Sequence, residues 1–214
     1  MRTVAVIDYG MGNLRSVSQA AMHVAQGNDV RVIVTADPDV VRKADRIILP
    51  GQGAMRDCMR ELVASGLEGA VREAAASKPL LGICVGMQML LDRSEEQSTA
   101  TLGLIGGECR RFALEALRDR DGCTYKVPQM GWNRVHRTRP HALWDGVEDG
   151  SHFYFVHSFY AVPRDERDSA ATTEYGVHFT SVLARDNVFA TQFHPEKSAA
   201  QGLALYRNFL HWSP

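Results

Sequence analysis

The stretch Pro79-Leu80-Leu81-Gly82-Ile83-Cys84-Val85-Gly86-Met87-Gln88-Met89-Leu90 constrains the fold more than any other. An apolar run ends at Ile83 and a helical apolar pattern begins at Val85, with Cys84 at the joint and a glycine two residues to either side. This G-x-C-x-G pattern is the thiol counterpart of G-x-S-x-G, a sharp strand-to-helix elbow at the top of an α/β sheet. Such a turn strains the nucleophile's backbone and brings strand and helix so close that side chains at 82 and 86 would collide. It also sets the sulfur at a helix N-terminus, where the dipole favours thiolate. Gln88, one turn on, falls on the same helix face. From the elbow alone Cys84 reads as a nucleophile, with a buried structural thiol in a Gly-rich turn as the alternative.

What precedes the elbow alternates strand and helix. Residues 3–8 form a β-branched run, as in a strand buried on both faces, and end in the turn Tyr9-Gly10-Met11-Gly12-Asn13. A helix is expected over 14–26, closed by Gly27. Strand 30–34 follows, then a short helix capped by Asp37 with Pro38 at its first position. Strand 46–49 runs into Pro50-Gly51-Gln52-Gly53, a helical pattern covers 55–76, and strand 80–83 leads to the elbow. Four alternations predict a parallel sheet with right-handed crossovers. From about 107 to 193 the runs change to strands and turns, among them the aromatic-rich 151–160 and a strand over 188–193, before a last helix over 199–210. The expectation is a single α/β domain over 1–214. Its core is three-layered, with a mostly parallel sheet and an added antiparallel portion.

Composition excludes several classes. A net charge of -1 gives no field that would draw in nucleic acid or a membrane surface, and the cluster Arg134, His136, Arg137 and Arg139 reads as a solvated loop. The N-terminus has no signal-peptide pattern, and no apolar run is long enough to span a bilayer. The four cysteines show no C-x-x-C pair and no zinc spacing. Cys58, Cys109 and Cys123 read as packing or surface thiols, and a reducing cytoplasm fits. Gly10-x-Gly12 lacks the third glycine of a dinucleotide fingerprint, since position 15 is Arg. There is no phosphate-binding loop, so no cofactor and no metal are expected.

A cysteine nucleophile needs a base, and the base an orienting acceptor. His194 ends a strand, where functional residues collect in open α/β sheets. Glu196 lies two residues on, the same side of extended chain. Alone, His194-Pro195-Glu196 reads as a surface pair; with the elbow present, catalysis is the better reading. Backbone N–H groups of Gly51-Gln52-Gly53 and of Val85 are candidates for an oxyanion hole, though Pro-Gly-x-Gly is also a frequent generic turn.

These residues resemble class I, triad-type glutamine amidotransferases. Ile7-Asp8-Tyr9-Gly10-Met11-Gly12-Asn13-Leu14, Pro50-Gly51-Gln52-Gly53, Gln129-Met130-Gly131-Trp132-Asn133, Phe155-Val156-His157-Ser158-Phe159-Tyr160 and Gln192-Phe193-His194-Pro195-Glu196-Lys197-Ser198 narrow the match. Together they are similar to the glutaminase subunits of imidazole glycerol phosphate synthase, the HisH family, over about 3–212. The resemblance implies a flavodoxin-like fold and attack of Cys84 on the side-chain amide of glutamine. It implies His194 as acid–base, Glu196 as its orienter, and hydrolysis of a glutamyl thioester. It also implies glutamine contacts at Gln88, His157, Ser158 and Phe159. The implied partner is a (β/α)8-barrel cyclase, HisF, which uses the ammonia to make imidazole glycerol phosphate and AICAR in histidine biosynthesis. Asn13, Trp132 and Lys197 match positions near that interface. Gln52 departs from the small aliphatic residue often found there. A glutaminase serving another synthase, a γ-glutamyl hydrolase, and a scaffold subunit that has lost the reaction are the alternatives. The intact Cys84, His194 and Glu196 speak against the last.

Overall fold

The computed structural model describes residues 1–114, 118, 122 and 124–214; Cys123 lies outside them. The first part of the chain runs β1 (Arg2–Ile7), α1 (Leu14–Ala25), β2 (Val30–Thr35), α2 (Pro38–Lys43), β3 (Arg46–Gly51), α3 (Met55–Ala64), α4 (Glu68–Ala75), β4 (Leu80–Cys84) and α5 (Val85–Gln88). Short strands β5 (Arg93–Ser94) and β6 (Thr99–Ala100) follow. Then come β7 (Gly107–Arg111), β8 (Gln129–Arg134), β9 (His136–Arg137), β10 (His152–His157), β11 (Phe159–Pro163), β12 (Ser169–Glu174), β13 (His178–Arg185), β14 (Val188–Thr191) and α6 (Ala199–His211).

The main sheet is ordered β2-β1-β3-β4-β14-β13-β11-β7-β5-β6. Its first five strands are mutually parallel, and β13, β11 and β7 continue it antiparallel. β8 and β10 form a separate antiparallel pair. The chain steps from β1 outward to β2, then back across to β3 and on to β4. Right-handed crossovers in opposite directions put α1 on one face and α2 to α4 on the other. The packing agrees, α1 lying on α6 and α2 on α4. Every residue of β3 and β4 is buried, as a strand covered on both faces requires. No helix of the described residues is long and apolar enough to cross a membrane.

Two expected helices differ. The pattern over 55–76 is two helices, broken at Ser65-Gly66, where Gly66 takes φ +72. A continuous apolar stripe does not reveal a single left-handed residue that turns the axis. The helix after the elbow is one turn, Val85–Gln88. Residue 84 therefore receives the amides of a first turn and little of a macrodipole, which needs many aligned peptides. The Asp37 cap is present, its Oδ1 accepting from the Asp39 N–H at 2.8 Å.

Candidate active site

In the parallel strands all C-terminal ends share one edge, and the chemistry-bearing residues collect there. Cys84 ends β4, Gly51 ends β3 beside it in register, Asn13 follows β1, and His194 follows β14. Cys84 and His194 line a cleft of about 500 Å³ together with Gln52, Gly53, Val85, Gln88, Glu96, His157, Ser158, Phe159 and Lys197.

The elbow has the strain its pattern predicts. Cys84 adopts φ 54, ψ -111, a conformation that costs a non-glycine residue about 1–3 kcal/mol. The surrounding packing enforces it. A Cβ on Gly86 would lie 2.0 Å from Leu49 O, and one on Gly51 would lie 2.5 Å from Gly86 N. A Cβ on Gly82 would meet Ala190 Cβ at 2.9 Å. The three glycines let strand, loop and helix touch backbone to backbone.

His194 and Glu196 form a buried pair, Nδ1 to Oε1 at 2.8 Å. Burial by itself lowers the basicity of an imidazole. Here the Cys84 side chain and the Glu196 carboxylate outweigh burial and hold His194 up at about 10. With Nδ1 given to the carboxylate, Nε2 is left buried with no hydrogen-bond partner among the described residues. The Cys84 Sγ instead lies 4.0 Å from Val156 O and 3.8 Å from Gln192 Nε2. Ser198 fastens the segment. Its hydroxyl donates to His194 O at 2.7 Å and accepts from Tyr154 N–H at 3.0 Å, while His194 N–H donates to Tyr154 O at 2.9 Å.

The glutamine-contact candidates lie together. Gln88 Nε2 donates to Phe159 O at 2.9 Å and to Gln192 Oε1 at 2.8 Å. His157 is buried, its ring nitrogens 2.8 Å from Phe159 O and 2.9 Å from Gln129 Oε1. Burial pushes it down to about 4, so the ring is neutral at pH 7. Through its Nδ1 contact with Phe159 O, this residue holds the position of the 158–159 backbone. Among the oxyanion candidates, Gln52 and Gly53 are exposed at the cleft mouth, while Gly51 and Val85 are buried. The Gln52 carbonyl accepts from the Cys58 thiol at 3.2 Å, and Pro50 O from the Tyr9 hydroxyl at 2.9 Å.

The interface candidates fall on the rim. Trp132 on β8 is 53% exposed and packs edge-on against Tyr154, and Lys197 Nζ sits 5.7 Å from the centre of the Tyr154 ring. Neighbouring Met130 is 66% exposed. Asn13 stands at the N-cap of α1 but makes no capping bond. Its Nδ2 donates instead to Glu196 Oε1 at 3.4 Å, so an expected rim residue also touches the buried carboxylate.

Three contacts in the site carry no sequence signal of their own. Asn13 meets Glu196 across 183 positions. Gln192 is wholly buried between Gln88 and Cys84. Glu96 lines the cleft from a polar loop, its Oε2 accepting from the Met55 N–H at 2.8 Å.

The family model described as glutamine amidotransferase class-I matches residues 5–212. "Imidazole glycerol phosphate synthase subunit HisH" of Dechloromonas aromatica is 57% identical over 213 residues, covering 100% of this chain and 98% of that protein. The protein of the same name from Nitrosospira multiformis is 53% identical, covering 100% of both. Among solved structures, one of a glutamine amidotransferase shares the fold with TM-score 0.70 and 18% identity, covering 97% of each chain. PurLQS from Thermotoga maritima shares it with TM-score 0.71 and 18% identity, covering 98% of each. The chain belongs to the class-I glutamine amidotransferase family and, within it, to the imidazole glycerol phosphate synthase subunits HisH.

Proposed function

We propose that residues 1–214 form one glutaminase domain that hydrolyses glutamine to glutamate and ammonia through a Cys84 thioester. The ammonia passes to a (β/α)8-barrel cyclase, HisF, for the synthesis of imidazole glycerol phosphate and AICAR. The work fits a reducing cytoplasm, where the free thiols of Cys58, Cys84 and Cys109 persist. The observation that carries this reading is the buried His194–Glu196 pair facing a strained elbow cysteine at a cleft.

The chemistry follows from the arrangement. His194, held basic by Cys84 and Glu196, carries the proton given up by the thiol, and the thiolate attacks the amide carbon. Backbone N–H groups of the Gly51-Gln52-Gly53 loop and of Val85 stabilise the oxyanion. The C–N bond breaks as His194 returns the proton to departing ammonia. Water, deprotonated by the same imidazole, then cleaves the thioester and frees the sulfur. Glu196 fixes the ring through Nδ1, leaving Nε2 to carry the transferred proton, and stabilises the imidazolium without taking that proton. The readout is glutamate release from glutamine. A chain that releases none, alone or with the cyclase, overturns the assignment.

Within this scheme His194→Ala costs thioester formation more than Glu196→Gln does. The first removes the proton carrier and lowers the rate on the order of 10⁴-fold or more; the second is roughly ten- to a hundredfold milder. Rapid-quench capture of the acyl-enzyme measures both, and the reverse order means the roles are exchanged.

Glu96 supplies the charge that recognises an amino acid as against a simple amide. One carboxylate oxygen is occupied by Met55 N–H, and the side chain lines the cleft. It pairs with the substrate's α-ammonium. Glu96→Gln raises KM for glutamine by roughly ten- to a hundredfold, the value of a charge-assisted hydrogen bond, with kcat changed less. A KM equal to wild type removes Glu96 from the binding site.

A further inference from the structure

Gln192 has no exposed surface, yet it is polar and lies against the reacting sulfur. A buried amide with a fixed orientation carries information about what it does. The orientation here is set from a backbone carbonyl. Phe159 C=O is only an acceptor, so Gln88 must turn its Nε2 toward it, at 2.9 Å. The second hydrogen of that same nitrogen goes to Gln192 at 2.8 Å, so Gln192 must present its Oε1 there. Its Nε2 is then the end that faces Cys84 Sγ, at 3.8 Å. Three groups in series thus leave a donor, and not an acceptor, at the nucleophile.

We propose that Gln192 is a catalytic hydrogen-bond donor to the Cys84 sulfur, held in that sense by Gln88 and the Phe159 carbonyl. The proposal deepens the glutaminase reading and rests on it.

A donor at sulfur acts in both halves of the reaction. In acylation it favours the thiolate, the attacking species. In deacylation the C–S bond breaks and the electron pair returns to sulfur, where the same N–H receives it. In the intervening thioester the sulfur is neutral and a poor acceptor, so the bond is strongest when charge is on sulfur, as transition-state stabilisation requires. No proton is transferred by Gln192. The amide, unlike an ammonium or guanidinium, adds no net charge that would compete with the His194 imidazolium.

The test uses the full chain. Cys84 is alkylated by iodoacetamide at neutral pH, with the adduct located by mass spectrometry, in wild type, Gln192→Met and Gln88→Met. Alkylation needs thiolate but no glutamine turnover, so it reports on Gln192 even if the glutaminase assignment fails. A hydrogen bond to a charged group is worth about ten- to a hundredfold in thiolate fraction, and the accompanying loss of nucleophilicity returns roughly half of that on a logarithmic scale. Alkylation of Gln192→Met is therefore expected to be about three- to tenfold slower, with a fall in kcat. Gln88→Met is expected to shift KM for glutamine more than it shifts alkylation. A purely packing role gives the opposite sign, since a loosened site exposes the sulfur and speeds alkylation. Gln192→Asn, whose amide is one methylene short of the sulfur, is expected to slow alkylation in the same direction. It serves if Gln192→Met does not fold by near-UV dichroism. Alkylation at or above the wild-type rate in a folded variant overturns the proposal.

Discussion

Cys84→Ser abolishes glutamate release and leaves the chain folded, whereas Cys58→Ser and Cys109→Ser keep turnover. The loss for Cys84→Ser is on the order of 10⁴-fold or more, because removing the attacking atom removes the acyl-enzyme and leaves only binding and the oxyanion hole. Serine fits the site sterically, so the melting temperature moves by no more than a few degrees. The other two thiols lack the means to substitute. Burial pushes Cys58 up to about 11 and pushes Cys109 higher still. Cys58 gives its proton to Gln52 O and Cys109 donates to Gln88 O, and neither lines the cleft. Steady-state glutamate assays on the three variants check this. Turnover by Cys84→Ser near the wild-type rate would falsify the nucleophile assignment.

What the sequence makes legible follows from range. The elbow is a local pattern whose glycines are dictated by contacts with strands on either side. Gly82-x-Cys84-x-Gly86 therefore announces both the turn and the close approach that require it. His194 and Glu196 are equally local, two residues apart on one segment. The parallel core is legible because β3 and β4 are buried on both faces and read as unbroken apolar runs. The site's other members depend on long-range closure. Nothing near position 13 says that an asparagine at a helix cap will turn its amide to a carboxylate on another element. Glu95 and Glu96 are indistinguishable in a polar loop, yet one accepts from Arg111 N–H and the other from Met55 N–H beside the cleft. Gln192 differs again. It stands next to the recognised histidine, but its role depends on the direction of a hydrogen-bond series that begins at Phe159.

The isolated chain is expected to be a slow glutaminase, and binding of the cyclase with its nucleotide ligand is expected to raise kcat by about 10²–10³. Ammonia made without an acceptor is lost to bulk water, so a subunit of this kind gains from an incomplete resting site. The Gly51-Gln52-Gly53 loop is the segment suited to be incomplete. The carbonyls on either side are pinned, Pro50 O by the Tyr9 hydroxyl and Gln52 O by the Cys58 thiol. Reorientation is thereby concentrated in the Gly51–Gln52 peptide, flanked by a glycine that tolerates it. In one orientation that peptide offers a carbonyl to the oxyanion, in the other an N–H. One missing oxyanion donor is worth about 10²–10³ in rate, or roughly 3–4 kcal/mol. A partner that prefers the completed site by that amount switches it on. Two routes reach it from the rim: Gln52 and Gly53, exposed at the cleft mouth, and Asn13, whose amide holds Glu196 Oε1. Asn13→Ala should therefore reduce the activated rate more than the basal one. Glutamate production with and without cyclase and ligand decides the matter. An isolated chain as fast as the complex refutes a resting site that lacks a donor, and a gain confined to KM moves the effect to glutamine binding.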